Sequence, residues 1–251
     1  MELSLDGSVV LVTGGVRGVG LGIARAFLAA GATVVSCARR PAEVPGASFV
    51  QCDVRDAAQV SELVAGVVDR FGRLDVVVNN AGGAPFALAD KASPRFHQKV
   101  VELNLLAPLL VSQAAYAVMK DAGGSIVMVS SVSGRRPSPG TAAYGAAKAG
   151  LDNLTASLAV EWAPRVRVNA LAVGMVRTEQ SHLHYGSEEG IEAVARTVPL
   201  GRLATPDEVG ACAVFLASPL ASYVSGATLV VHGGGERPAF LAAADTDGGS
   251  S

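Results

Sequence analysis

Short runs of β-branched residues alternate along the chain with longer stretches that are rich in alanine. Parallel strands buried on both faces give near-continuous apolar runs, and the helices that connect them are longer. The alternation predicts seven strands, at residues 9–13, 33–38, 48–52, 76–79, 125–130, 166–171 and 228–231.

The stretches between these strands predict five helices, and Pro206 suits the first turn of the last one. The helices are expected at residues 21–30, 57–71, 96–120, 142–162 and 207–216. Such alternation indicates the α/β class, with a doubly wound, parallel, seven-stranded sheet of Rossmann type and helices on both faces. Residues 178–198 and the carboxyl-terminal tail fall outside the alternation.

Composition narrows the range of partners. A chain of 251 residues, 50% hydrophobic and 17% charged, can bury one large core, so we expect a single domain. Its 20 basic and 22 acidic side chains give a formal charge of −2, which provides no basic face for nucleic acid. Glu2 and Asp6 stand where a signal peptide would be basic, and no run of 18 apolar residues occurs. We therefore expect a cytoplasmic protein with no membrane partner.

Potential metal ligands are poorly matched. Cys37, Cys52 and Cys212 have neither the even count of a disulfide framework nor the spacing of a zinc site. His182 and His184 lie close together, but no matched third ligand lies nearby in the sequence. We expect no metal, and we interpret the two histidines as polar residues of a substrate loop.

The first strand is followed by a glycine-rich turn in which Gly14, Gly18 and Gly20 have the spacing GxxxGxG, with Arg17 and Val19 among them. Glycines let a backbone approach a pyrophosphate closely, and the next helix offers free N–H groups and a positive end. Glycines also close turns for purely structural reasons. The position between a strand and a helix favours a dinucleotide site.

The end of the second strand indicates which dinucleotide binds. An acidic residue there holds the ribose 2′-hydroxyl of NAD, whereas arginine suits the 2′-phosphate of NADP. Residues 36–40 contain Arg39 and Arg40 and no carboxylate, and Arg17 adds a third cation at the same corner. Solvated surface arginines are the alternative; we favour NADP(H) over NAD(H).

Tyr144 and Lys148 lie four residues apart on a predicted helix and therefore share one face. A phenol with a pKa near 10 exchanges protons poorly at pH 7, and a neighbouring ammonium lowers that pKa. Ser131 lies just beyond a predicted strand end, where open α/β sheets bind their ligands, and its hydroxyl can hold a substrate oxygen. The three residues predict hydride transfer between a nicotinamide and a carbon that bears a hydroxyl or ketone.

Up to about Gly235 the chain resembles the single-domain short-chain dehydrogenases/reductases. The resemblance is carried, in family order, by the glycine turn, Asp53–Val54, Asn79–Asn80–Ala81–Gly82, Asn104, Ser131, Tyr144, Lys148 and Pro199–Leu200–Gly201–Arg202. It implies one NAD(P)-binding domain over residues 1–235, with a substrate loop at about 178–198 and an extension over 236–251. Two positions depart from the family pattern, Val173 for a proline and His232 for an aspartate.

The same resemblance implies roles for individual residues. Asp53, beside Val54, would bond the adenine amine, and Asn80, Ala81 and Gly82 would line the adenosine side. Lys148 would also hold the nicotinamide ribose, and Asn104 would anchor a water chain that returns protons to Lys148. The carboxamide would be bonded by Thr178 and by the backbone of Val176.

The substrate is less defined by the sequence. A lipophilic alcohol and a 3-oxoacyl thioester both remain candidates, and Arg135 and Arg136 suit the anionic carrier of a thioester as well as they suit a solvated loop. A non-catalytic regulatory protein that binds the cofactor is the alternative from another class; loss of Ser131, Tyr144 or Lys148 would signal it, and all three are present.

The two segments outside the alternation predict a lid and a docking tail. Residues 178–198, between a strand and a helix, suit a mobile lid over the substrate. The tail begins with apolar residues, and we expect Phe240 and Leu241 to pack on their own or a neighbouring subunit. The resemblance implies a homotetramer, built as a dimer of dimers.

Overall fold

The computed structural model describes residues 3–240 and places seven parallel strands in one sheet. The strands lie in the order β3-β2-β1-β4-β5-β6-β7. Their bounds are Val9–Thr13 (β1), Thr33–Ala38 (β2), Ser48–Gln51 (β3), Val76–Asn79 (β4), Gly124–Ser131 (β5), Val166–Val173 (β6) and Thr228–Val231 (β7). The predicted doubly wound sheet is confirmed.

Eight helices connect or follow these strands in the described part of the chain. They are Gly18–Ala29 (α1), Ala57–Phe71 (α2), Pro94–Val101 (α3), Ala107–Met119 (α4), Ala142–Glu161 (α5), His182–Tyr185 (α6), Glu188–Ala195 (α7) and Pro206–Ala217 (α8). Helices α1 and α8 cover one face of the sheet, and α2, α4 and α5 cover the other.

The strands are apolar on both sides because each face has its own layer of helices. In β1, Val9 and Leu11 point into the core under α2, α4 and α5, while Val10 and Val12 point into the core under α1 and α8. Alternation along a strand sends successive side chains to opposite faces. This is the physical origin of the continuous apolar runs in the sequence.

The strand order places a crevice at the carboxyl ends of the sheet. From β1 the chain builds outward to β2 and β3 and then returns to the other side of β1 with β4. Open α/β sheets bind ligands where the winding direction reverses in this way. The glycine turn between β1 and α1 therefore lies at the expected binding position.

The prediction of a single helix at residues 96–120 is wrong in one respect. The segment is helical, but a π-helical turn at Glu102–Leu106 separates α3 from α4. The stretch Pro94–Met119 is long and apolar enough to cross a membrane, since an 18-residue window of it has a mean hydropathy of 1.4. Core helices of water-soluble proteins also meet that test, and α4 packs into the core on β4 and β5.

Other differences from the predicted bounds concern the element ends. Strands β5 and β6 extend to Ser131 and Val173, so Ser131 is the last residue of its strand and does not lie beyond it. Helix α1 begins at Gly18, three residues earlier than predicted, because the glycine turn itself enters the helix.

Residues 178–198 contain the two short helices α6 and α7, where the sequence suggested a loop. Ile191 and Val198 pack with Leu203 in a small apolar cluster of their own, separate from the two main cores. Segments with few core contacts open more easily than the core does. The opening and closing of this lid stays a prediction.

The extension after β7 docks on the end of the lid. The Arg237 N–H donates to the Thr197 carbonyl at 3.0 Å, and the Leu200 N–H donates to the Gly233 carbonyl at 3.1 Å. Phe240 is 69% exposed on this chain, so it does not pack on its own subunit. Leu241 and residues 242–251 lie outside the described residues.

Candidate active site

Ser131 and Tyr144 are brought together by two glycines. A β-carbon at Gly145 would lie 2.7 Å from the Ser133 carbonyl oxygen, and one at Gly134 would lie 2.7 Å from the Ala149 nitrogen. Glycine at both positions therefore lets the 3₁₀ turn Val132–Gly134 rest directly on α5. That contact carries Ser131, at the end of β5, to the first turn of α5, which holds Tyr144.

Burial and hydrogen bonding act in opposite directions on Tyr144. Removal of the phenol from water raises the pKa of Tyr144, and a hydrogen bond with the Ser131 hydroxyl lowers it by less. That Lys148 lowers the pKa of Tyr144 stays a prediction, because in the chain without cofactor the net pKa of Tyr144 is raised. Desolvation is the larger effect because the Lys148 ammonium lies 5.6 Å from the centre of the phenol ring.

Lys148 is itself buried, with 3% of its surface exposed. Its Nζ donates to the Val129 carbonyl at 2.7 Å. Desolvation lowers the pKa of Lys148 to about 8, although the negative charge of Asp152, one turn later on α5, acts in the opposite direction. A buried lysine with this pKa is typical of functional sites.

Asn104 is fully buried and lies in the π-helical turn. Its amide donates to the Gly83 carbonyl at 3.0 Å and to the Val100 carbonyl at 2.9 Å, and its oxygen accepts from the Gly83 N–H at 2.8 Å. A β-carbon at Gly82 would lie 2.7 Å from the Asn104 oxygen and 3.5 Å from Lys148 Nζ. Asn104 thus fixes the loop after β4 against the lysine, and π-turns often occur at functional sites.

The glycine turn has the close approaches that a dinucleotide needs. Gly14 and Gly18 have φ values of 65° and 51°, which favour glycine. A β-carbon at Gly20 would lie 2.2 Å from the Gly14 carbonyl oxygen. Asn80, after β4, donates to the carbonyls of Thr13 and Gly14 at 3.0 and 3.2 Å and holds the turn in place.

The start of α1 already holds an anion. Arg17 precedes the helix and provides no side-chain cap, whereas the Gly18 N–H donates to the Glu179 carboxylate at 3.1 Å. Glu179 lies 161 positions along the chain, so the fold brings this carboxylate to the helix start. The same N–H groups can bind the anionic pyrophosphate of a cofactor. The residues of the turn therefore fit a dinucleotide cofactor. Glu179 was not foreseen from the sequence, because only the fold brings it to this turn.

The adenosine corner presents Arg17, Arg39 and Arg40, all exposed. Asp53 makes a bidentate ion pair with Arg55, at 2.9 and 2.5 Å, and Arg55 holds the pKa of Asp53 below its usual value. The sequence did not indicate this pairing.

The remaining predicted cofactor residues differ in their surroundings. Thr178 faces the glycine turn, since a β-carbon at Gly18 would lie 3.6 Å from its methyl group. Val176, in the segment after β6, forms an isolated β-bridge with Ala204. Val19 and Val54 pack in the two cores, so their side chains are structural. Ala81 is half-buried, and its N–H donates to the Thr13 hydroxyl at 3.0 Å.

A cavity of about 410 Å³ opens beside Val132, the residue that follows Ser131. The floor of the cavity is formed where β5, β6 and β7 end, since these strands are in register at Ser131, Val173 and Val231. The next residue of each strand lines the cavity, namely Val132, Gly174 and His232. Arg136 and Glu236 also line it, and they form an ion pair at 2.6 Å. Among residues 3–240, no three His, Cys, Asp or Glu side chains are grouped to hold a metal ion.

Comparison with known proteins agrees with this geometry. A family model described as enoyl-(acyl carrier protein) reductase matches residues 14–236. Galactitol 2-dehydrogenase of Agrobacterium fabrum is 36% identical over 92% of this chain and 98% of its own length. D-threitol dehydrogenase of Mycolicibacterium smegmatis is 37% identical, with 93% and 94% covered, and L-fucose dehydrogenase of Oryctolagus cuniculus is 38% identical, with 92% and 85% covered.

A solved structure shows the same fold. The ligand-free aldohexose dehydrogenase of Thermoplasma acidophilum superposes with a TM-score of 0.88 at 30% identity, covering 92% of this chain and 94% of that one. Fold and site together define an NAD(P)-dependent oxidoreductase that acts on alcohol groups. The chain belongs to the short-chain dehydrogenase/reductase family.

Proposed function

We propose that this enzyme interconverts a secondary alcohol and a ketone on a small polyhydroxylated molecule, such as a sugar or a polyol. The observation that carries the chemistry is the contact of the Ser131 hydroxyl with the Tyr144 phenol, one helical turn from the buried Lys148. Three relatives are named for galactitol, D-threitol and L-fucose, which supports the substrate class.

In the mechanism, Ser131 donates a hydrogen bond to the substrate oxygen and orients it toward Tyr144. Tyr144 takes the hydroxyl proton during oxidation and returns it during reduction. A nicotinamide cofactor, when bound, accepts or supplies the hydride. The ammonium of Lys148 stabilises the phenolate, and Asn104 positions the loop after β4 so that protons can be returned through Lys148.

The residues that would hold the cofactor surround the glycine turn and the ends of β2, β3 and β4. Exposed guanidinium groups at Arg17, Arg39 and Arg40, with Ala38 in place of a carboxylate, support NADP(H) over NAD(H). The further contacts are proposed for Gly14, Gly18, Gly20, Asp53, Asn80, Ala81, Gly82, Val176 and Thr178.

A lipophilic alcohol or an acyl thioester, which the sequence analysis favoured, gains no support from the relatives. The cavity beside Val132 also argues for a polar substrate, because Arg136, His232 and Glu236 contribute charged or polar side chains to it. A hydrocarbon chain would remove these groups from water without offering them a hydrogen bond.

The assembly and its surroundings are proposals as well. Residues 1–235 form the catalytic domain, residues 236–251 its extension, and the protein works as a cytoplasmic homotetramer with no nucleic acid or membrane partner. Leu229 and Val230 of β7 are 37% and 36% exposed and Phe240 is 69% exposed. A neighbouring subunit would cover such an apolar edge.

A substrate panel tests the proposal. The purified enzyme is mixed with NADP⁺ or NAD⁺ and with hexitols, tetritols, aldoses or simple secondary alcohols, and the absorbance of the reduced cofactor is followed. A parallel assay offers 3-oxoacyl-CoA with NADPH. Fastest turnover of a polyol or sugar with NADP⁺ is expected; preference for the thioester would contradict the substrate class, and preference for NAD⁺ would contradict the cofactor.

A further inference from the structure

Three separate segments of the chain come close together around the ion pair of Arg136 and Glu236. Arg136 belongs to the loop after β5, Glu236 to the extension after β7, and Tyr185 to helix α6 of the lid. Burial raises the pKa of the Tyr185 phenol; the carboxylate of Glu236 raises it further and the guanidinium of Arg136 lowers it, so Tyr185 lies within electrostatic range of the pair.

The ion pair between Arg136 and Glu236 is not explained by stability. Its two side chains are 41% and 38% exposed, and exposed pairs of this kind contribute little to folding. Glu236 is nonetheless held in place. On either side of it, the Arg237 N–H donates to the Thr197 carbonyl in the lid, and the Gly233 carbonyl accepts from the Leu200 N–H just after the lid.

The pair has the chemistry to bind neutral hydroxyl groups. A carboxylate accepts hydrogen bonds from two hydroxyls, and a guanidinium donates to their oxygens. Because Glu236 offsets the charge of Arg136, the pair itself has no net attraction for an anion. Arg237 also lines the cavity, so a sugar acid is the competing ligand.

We infer that Arg136 and Glu236 bind the hydroxyl groups of the substrate that are remote from the reacting carbon, and that they thereby select polyhydroxylated substrates. The inference rests on the proposed function. It assigns the selection to a residue of the carboxyl-terminal extension that sequence analysis had not singled out, and it makes binding depend on the lid to which that extension is hydrogen-bonded.

The test compares a polyol with an alcohol that has no remote hydroxyl, for example a tetritol and 2-butanol. The variants are Glu236→Gln, Glu236→Leu and Arg136→Met. Glu188→Gln is the matched control, since it breaks an ion pair with Arg177 on the same lid, away from the cavity. We expect Glu236→Leu and Arg136→Met to raise KM for the tetritol roughly 10- to 100-fold, the effect of one lost hydrogen bond to a charged group.

In the same variants, kcat/KM for 2-butanol and the Kd of NADPH should stay within about twofold of the wild-type values. In the control variant, kcat/KM should stay within about twofold of wild type for every substrate. Glu236→Gln, which keeps the shape and most of the hydrogen bonding, should have a smaller effect than Glu236→Leu. An unchanged KM for the tetritol in Glu236→Leu would overturn the inference while leaving the proposed function intact.

Failure of the proposed function would give a different experimental result. In that case the wild-type enzyme turns over no polyol or sugar, and the inference falls with it. A wild-type preference for a sugar acid over the matching polyol would also contradict the inference, because the carboxylate of Glu236 would then face the substrate's own negative charge.

Discussion

Replacing Lys148 with methionine should abolish activity and yet increase the stability of the cofactor-free protein. Lys148 is buried, and its pKa falls from 10.5 to about 8 because the ammonium is desolvated. At pH 7 the lysine is charged in both the folded and the unfolded state, so its burial opposes folding by about 3 kcal/mol. Loss of its hydrogen bond to the Val129 carbonyl returns about 1 kcal/mol, which leaves a net gain of about 2 kcal/mol for the variant.

The pH dependence of stability tests independently whether Lys148 destabilises the folded state. Between about pH 8 and 10.5 the unfolded state binds the proton more tightly than the folded state does, so the free energy of unfolding of the wild type rises with pH. From pH 7 to pH 9.5 the lysine should contribute a rise of about 2 kcal/mol, and Lys148→Met should lack that rise. Asp152 and Tyr144 remain in both proteins, so the difference between the two curves isolates the lysine.

Urea unfolding of both proteins without cofactor at pH 7, 8, 9 and 9.5 measures these quantities. Arg135→Gln is a useful control, because it alters a cation outside the site, at 3.2 Å from Asp152. Parallel curves for wild type and Lys148→Met, or a variant less stable than wild type at pH 7, would refute the account of the buried lysine.

Three further predictions concern the cofactor, the site and the tail. Arg39→Ala should weaken the binding of NADPH roughly tenfold while leaving NADH within twofold, measured by calorimetric titration; equal losses for both cofactors would contradict the phosphate contact. Gly145→Ala should destabilise the fold by about 1–3 kcal/mol and greatly reduce kcat, because its β-carbon would lie 2.7 Å from the Ser133 carbonyl oxygen. The same change at the exposed Gly66 of α2, with nothing within 4 Å, should stabilise by about 1 kcal/mol in denaturant unfolding, and similar effects at both sites would contradict the packing argument. Deletion of residues 237–251 removes the hydrogen bond from Arg237 to Thr197 and the apolar Phe240, so the melting temperature and the mass by light scattering should both fall; unchanged values would contradict docking of the tail.

The positions of the strands and of the candidate catalytic residues could be predicted because local pattern determines them. A buried parallel strand must be apolar on both faces, so β1, β4 and β6 stand out in the sequence whatever surrounds them. Tyr144 and Lys148 share a face of α5 because a helix places residues four apart on one side.

What the sequence could not predict depends on contacts between distant segments. Glu179 bonds to Gly18 across 161 positions, and Arg136 meets Glu236 only because β5 and β7 flank β6 at the same edge of the sheet. The π-helical turn at Glu102–Leu106 was missed because its residues continue the apolar pattern of the adjoining helices. The raised pKa of Tyr144 could not be predicted, because it is caused by burial of the phenol, which the spacing of Tyr144 and Lys148 does not report.

The central claim is that Tyr144 transfers the proton while the rest of the site binds the cofactor and substrate. Tyr144→Phe removes one oxygen from a half-buried ring and leaves Ser131, Lys148 and the glycine turn in place. Steady-state turnover of the best polyol, measured beside the Kd of NADPH, should show kcat reduced roughly 10²- to 10⁴-fold with cofactor binding within twofold of wild type. Wild-type turnover in the phenylalanine variant would contradict the mechanism.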